Sequence, residues 1–134
     1  MNDYACAILV DGGRLLLGLR AAHRRAYPGC WDVIGGKVEP GETITAALVR
    51  ELGEEVGVVP TEFRHAASLD DADARGAGVA TYHFHVVTRW QGGPPAIRNH
   101  EHSDLRWFTV EEACALPNLA IPDYPALFRG LGLA

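Results

Sequence analysis

Two apolar runs of strand length open the chain, Tyr4 to Val10 (YACAILV) and Arg14 to Arg20 (RLLLGLR). The Asp11-Gly12-Gly13 between them signals a β-hairpin. RAAHRRAYPGC then reads as a polar loop, WDVI as a short strand, and GGKVEPGE as a turn-rich approach to the first helix. From Thr43 to Val56 the apolar positions Ile44, Leu48, Leu52 and Val56 recur at i+4, and Gly57 stands where a helix-ending glycine belongs. This spacing predicts one helix of about four turns. Further on, Glu62 to Leu69 and Val79 to Arg89 read as strands separated by the turn DDADARGAG. The loop WQGGPPAIRNHEH leads to the strand DLRWFTV, and VEEACAL and DYPALFRGLGL read as short terminal helices. Strands interrupted by a helix and closed by helices predict a mixed β-sheet covered on both faces.

The predicted long helix carries its charges in an unusual place. Glu51 and Glu55 border the apolar stripe, and Glu54 lies one step further round, so three carboxylates share one side of the helix. A solvated acidic face would lie opposite the stripe and would carry lysine partners at i+4. Here Arg50 is the only cation in the helix. Three hard oxygen ligands, preceded by a Gly-Gly turn able to offer backbone carbonyls, suit Mg²⁺ or Mn²⁺ with a substrate phosphate completing the shell.

Composition narrows the ligand. A chain of 134 residues, 48% apolar and 22% charged, is the size of one domain spanning 1–134. Its net charge of −5, without a lysine or arginine block beyond His23-Arg24-Arg25, argues against a nucleic-acid polymer as partner. A small phosphorylated ligand is compatible, because a divalent cation bridges it to carboxylates. Cys6, Cys30 and Cys114 show no CxxC spacing, which points to neither a disulfide framework nor a thiolate zinc site. MNDYACAILV lacks the charged flank of a signal peptide and no apolar run reaches membrane-spanning length, so the expectation is a cytoplasmic protein with no membrane partner.

Gly36, Glu42, Arg50, Glu51, Leu52, Glu54, Glu55, Gly57 and Val58 fill every required position of GX5EX7REUXEEXGU, where U is aliphatic. In this the chain resembles the Nudix hydrolases. The flanks RLLLGLR, PGCWDVIGGKVEPGET and DLRWFTVEEACALP are similar to the approach and exit of that box, so the resemblance covers most of the chain. It implies an α/β/α sandwich with a mixed sheet, dependence on Mg²⁺ (or Mn²⁺), and hydrolysis of a nucleoside diphosphate linked to some group X. The short chain is similar to the mutator-type branch, which converts (deoxy)nucleoside triphosphates to monophosphates and pyrophosphate. ADP-ribose, nucleotide sugars and dinucleoside polyphosphates stay open as substrates. So do a nucleotide-binding module without catalysis, an isoprenoid diphosphate isomerase using Cys30, and a homodimer.

By the same resemblance Glu51, Glu54 and Glu55 are metal ligands, with the Gly35 carbonyl as a further one. Arg50 orients the box carboxylates, supported by Glu42, and the general base is Glu51 or, from a later loop, Glu101. Arg20 and Lys37 bracket the loop entering the box and are candidate phosphate contacts. Tyr27, Trp31 and Phe84 are aromatic enough to stack on a base, and His83 with His85, or His100 with His102, stand as structural or substrate-near pairs.

Overall fold

The computed structural model describes residues 2–72 and 79–133. Strand β1 (Asn2–Asp11) is the hub. It pairs in parallel with β6 (Val79–Gln91) from Asn2↔Ala80 to Leu9↔Val87, and antiparallel with β4 (Ile34–Lys37) from Tyr4↔Lys37 to Ala7↔Ile34. The predicted hairpin partner β2 (Arg14–Arg20) meets β1 only at Val10↔Leu15 and Asp11↔Arg14, because β4 occupies the rest of that edge. Strand β2 instead pairs antiparallel with β3 (Trp31–Asp32) and β7 (His102–Thr109), while β5 (Val59–Ala72) closes the far edge against β6. The sheet is therefore mixed.

Helix α1 (Ile44–Val56) covers one face, and the short helices α2 (Val110–Cys114) and α3 (Tyr124–Arg129) cover the other. Along β1 the side chains alternate between two cores. Ala5, Ala7 and Leu9 pack with Ala47, Leu48, Leu52 and Val56 of α1, whereas Cys6 and Ile8 pack with Ala113, Tyr124 and Phe128. This double burial is why YACAILV is apolar throughout instead of alternating. Leu48 and Leu52 are fully buried, and each such side chain stabilises the packing of α1 by about 2 kcal/mol.

The C-cap agrees with the sequence reading, while Thr43 caps the helix instead of opening it. Thr43 accepts a hydrogen bond from the Ala46 backbone N–H at 3.0 Å, and Gly57 ends α1 in the left-handed conformation at φ 72°. One expectation needs correction: Gly35, Gly36 and Lys37 do not form a turn but lie in β4, paired with Cys6, Ala5 and Tyr4. A second difference is length. Strand β5 begins two residues after the helix cap and takes in Asp70 to Ala72 of the predicted turn, whose remainder, 73–78, lies outside the described residues. Among the described residues no helix is long and apolar enough to cross a membrane.

Candidate active site

The two glycines of β4 make room for the chemistry. A Cβ on Gly36 would fall on the Glu51 carboxylate, and one on Gly35 would meet the Ala5 carbonyl oxygen and, at 2.9 Å, the Cys6 Cα. Only glycines let β4 lie this close to both β1 and α1. Glu51 and Glu55, one turn apart beside the apolar stripe, are thereby buried at 8% and 2% exposure.

A third carboxylate comes from outside the helix. The last carbonyls of α1 have no partner within the helix. The loop after β6 supplies two, with the Ala96 N–H donating to the Val56 oxygen at 3.1 Å and the Arg98 N–H to the Glu55 oxygen at 2.9 Å. Docked in this way, the loop delivers Glu101 to the helix. Asn99 brackets it, donating to Glu101 Oε2 at 3.4 Å and accepting from the Glu101 N–H at 3.1 Å. The Glu101 carbonyl is tied to the Ala21 N–H at 2.9 Å. As a result one oxygen from each of Glu51, Glu55 and Glu101 lies within 4.8 Å of the others. Glu54 stands outside this cluster. Its side chain is 56% exposed and reaches Arg50 at 3.3 Å.

Arg50 ties the periphery together. Its Nε and Nη2 form a fork on Glu42 at 2.9 and 3.0 Å, its Nη1 donates to Glu51 at 2.8 Å, and its Nη2 also donates to the Lys37 carbonyl at 3.1 Å. The hydrogen bond from Arg50 holds the Glu42 carboxyl down to about 2.

Inside the cluster the electrostatics run the other way. Burial pushes the Glu51 carboxyl up, and pushes Glu55 well above the usual carboxylate range, where the nearby Glu101 charge adds to the effect. Burial also opposes ionisation of Glu101, yet its hydrogen bond with Glu55 and the Arg24 charge leave it below its ordinary value. Glu55 Oε2 is buried with no hydrogen-bond partner among the described residues. Three converging hard oxygens, one of them orphaned, fit a divalent cation such as Mg²⁺ or Mn²⁺.

Glu51 and Glu101 of the cluster open into a cleft of about 480 Å³, walled by Tyr4, Cys6, Gly35 and Val33 and carrying Arg20, Arg24 and Lys37, with Glu55 buried behind them. Arg20 is only 6% exposed, with Nη1 3.3 Å from Asp32 and Nε donating to the Ala26 carbonyl at 2.7 Å, whereas Lys37 is exposed at the rim. Arg24, 3.7 Å from Glu101 Oε1, was not singled out by sequence, and its only signal there is the HRR block. The aromatic candidates fall elsewhere. Phe84 is fully buried in the core and Trp31 packs edge-on against Phe108, while Tyr27 sits at φ 52° with its hydroxyl donating to Asp71 at 3.0 Å. His83 does not line the cleft and is bonded to Asp3 at 2.9 Å, and His102 is buried beneath Glu55. Cys30 does not line the cleft.

The family model described as NUDIX domain matches residues 2–129. The chain is 37% identical over 127 residues to the CTP pyrophosphohydrolase of Escherichia coli K12, covering 95% of this chain and 89% of that protein. It is 46% identical over 120 residues to the nucleoside triphosphatase NudI of Escherichia coli K12, covering 83% of this chain and 84% of that one. The crystal structure of a MutT NUDIX hydrolase from Burkholderia pseudomallei superposes with a TM-score of 0.84 at 25% identity, covering 97% of both chains.

Proposed function

Because this chain belongs to the Nudix hydrolase family, we propose that it is a pyrophosphohydrolase that converts a (deoxy)nucleoside triphosphate to a monophosphate and pyrophosphate. The observation that carries the reading is the Glu51, Glu55 and Glu101 cluster at the wall of a cleft lined by Arg20, Arg24 and Lys37. The names of the Escherichia coli relatives, a CTP pyrophosphohydrolase and a nucleoside triphosphatase, support a triphosphate over other nucleotides.

Glu51 and Glu55 would hold Mg²⁺ together with Glu101, with the Gly35 carbonyl a further candidate at the cleft wall, while Glu54 lies outside the cluster against Arg50. When bound, the cation supplies neutralisation of phosphate oxygens and a lowered pKa for the attacking water. The water oxygen bonds to phosphorus while the P–O bond of the anhydride breaks, and the bonding pair leaves on the departing phosphate. Of the two candidate bases, Glu101 is the better placed to take the water proton, because Glu51 already accepts from Arg50 and is the more buried. Lys37 and Arg24 offset phosphate charge at the rim, and Arg20, engaged by Asp32, holds the inner wall.

Incubation with Mg²⁺ and a panel of triphosphates, ADP-ribose, a nucleotide sugar and a dinucleoside polyphosphate should release monophosphate and pyrophosphate from one triphosphate. Cleavage confined to ADP-ribose, the nucleotide sugar or the dinucleotide would move the substrate, and unchanged ligand throughout would indicate a binding module. Glu101→Gln should lower kcat by ~10²-fold and reshape the acidic limb of the pH–rate profile, to which Glu55 also contributes. An unchanged profile would return the base to Glu51.

A further inference from the structure

His102 sits directly behind the carboxylate cluster, and three features of the chain combine to put it there. Strand β7 carries an extra residue at this point, since Leu19 faces Asp104 while Arg20 faces His102, and such a bulge re-aims a side chain. The ring turns inward onto Gly18, where any Cβ would collide with it. It ends with Nδ1 3.7 Å from Glu55 Oε1, in a place where both side chains are almost wholly buried, at 3% and 2% exposure. His102, like Glu55, is not among the residues lining the cleft, so it stands behind the cluster and does not touch a bound substrate.

The unpaired atoms fix its role. Glu55 Oε2 and His102 Nε2 are both buried without a partner among the described residues. A buried N–H left unpaired is rarer and costlier than an acceptor left unpaired. The ring proton therefore belongs on Nδ1, facing Glu55, and Nε2 carries the lone pair. We infer that His102 is a positioning residue for the cation site: its Nδ1–H faces Glu55 Oε1 across 3.7 Å, longer than a hydrogen bond, and biases that carboxylate electrostatically so that Oε2 is left for the cation. Bulge, void and tautomer all serve this one contact.

This rests on the reading of Glu51, Glu55 and Glu101 as a cation site, and its test separates the two. Binding of Mn²⁺ alone to the cation-free full-length protein would be followed by loss of the free-ion paramagnetic signal, with circular dichroism confirming the fold of each variant. His102→Phe should weaken Mn²⁺ binding by ~10- to 100-fold. His102→Asn, whose amide nitrogen takes the place of Nδ1, should recover most of that affinity, whereas His102→Gln, whose nitrogen falls near Nε2, should not. Should the Phe variant not fold, the Asn and Gln pair carries the test. Equal affinity in Asn and Gln, or wild-type affinity in a folded Phe variant, overturns the role of His102. No Mn²⁺ binding by the wild type overturns the cation site itself.

Discussion

Glu55→Gln should lower turnover by ~10³-fold while leaving the cation-free protein at least as stable as the wild type near pH 8. The first effect follows from position: Glu55 is the most buried of the three clustered carboxyls and carries the orphaned oxygen. The second follows from electrostatics. Burial raises the Glu55 carboxyl well above its ordinary value in the folded chain. A raised carboxyl contributes stability below its unfolded value that is lost as pH rises through the folded one, so ionised Glu55 works against the cation-free fold. Glutamine is never ionised, and its amide can donate to Glu51 or Glu101.

A divalent cation reverses this balance. Binding must displace the proton from Glu55, so the rise in Tm produced by Mg²⁺ should grow as pH increases in the wild type. In Glu55→Gln that rise should be small at every pH. Thermal unfolding with and without Mg²⁺, at about pH 6 and about pH 8, reads both effects in one series. A Glu55→Gln variant that keeps both its turnover and its Mg²⁺-dependent Tm would remove Glu55 from the cation site.

What the sequence revealed of this site, and what it hid, divides along the range of the interactions. Glu51, Glu54 and Glu55 lie on one helix, so its 3.6-residue period alone places Glu51 and Glu55 against the apolar stripe, and Thr43 and Gly57 mark both ends locally. Glu101 is different. It reaches the cluster because Ala96 and Arg98 satisfy carbonyls at the end of α1, a docking that no spacing within NHEHSDLRWF encodes. Gly35-Gly36 reads as a turn because glycine serves two purposes, and the deciding partner, β1, lies far back in the chain. The same limit applies to cations and aromatics. Arg20 and Arg24 are equivalent in sequence, but only Arg20 occupies a strand position that turns it inward to Asp32. Phe84 belongs to a strand buried on both faces, which removes it from any ligand.

Arg50→Lys should lower kcat by ~10- to 100-fold despite keeping the charge. The guanidinium spans five oxygens that a single ammonium cannot reach together: both of Glu42, one each of Glu51 and Glu54, and the Lys37 carbonyl. With lysine, the Glu51 carboxylate loses the contact that fixes its direction into the cluster, and cation affinity should fall with kcat. Acid unfolding gives an independent readout. Glu42 is held at about 2 in the folded chain by Arg50, against 4.5 for the free side chain. A lowered carboxyl contributes stability above its unfolded value that is lost as pH falls through the folded one. Wild type therefore loses this contribution between about pH 4.5 and pH 2, while Arg50→Lys lacks most of it throughout. The gap between their urea midpoints should be widest near neutral pH and should close as pH approaches 2. A gap that stays constant with pH would mean that Arg50 stabilises the fold by packing its stem, with Glu42 a bystander.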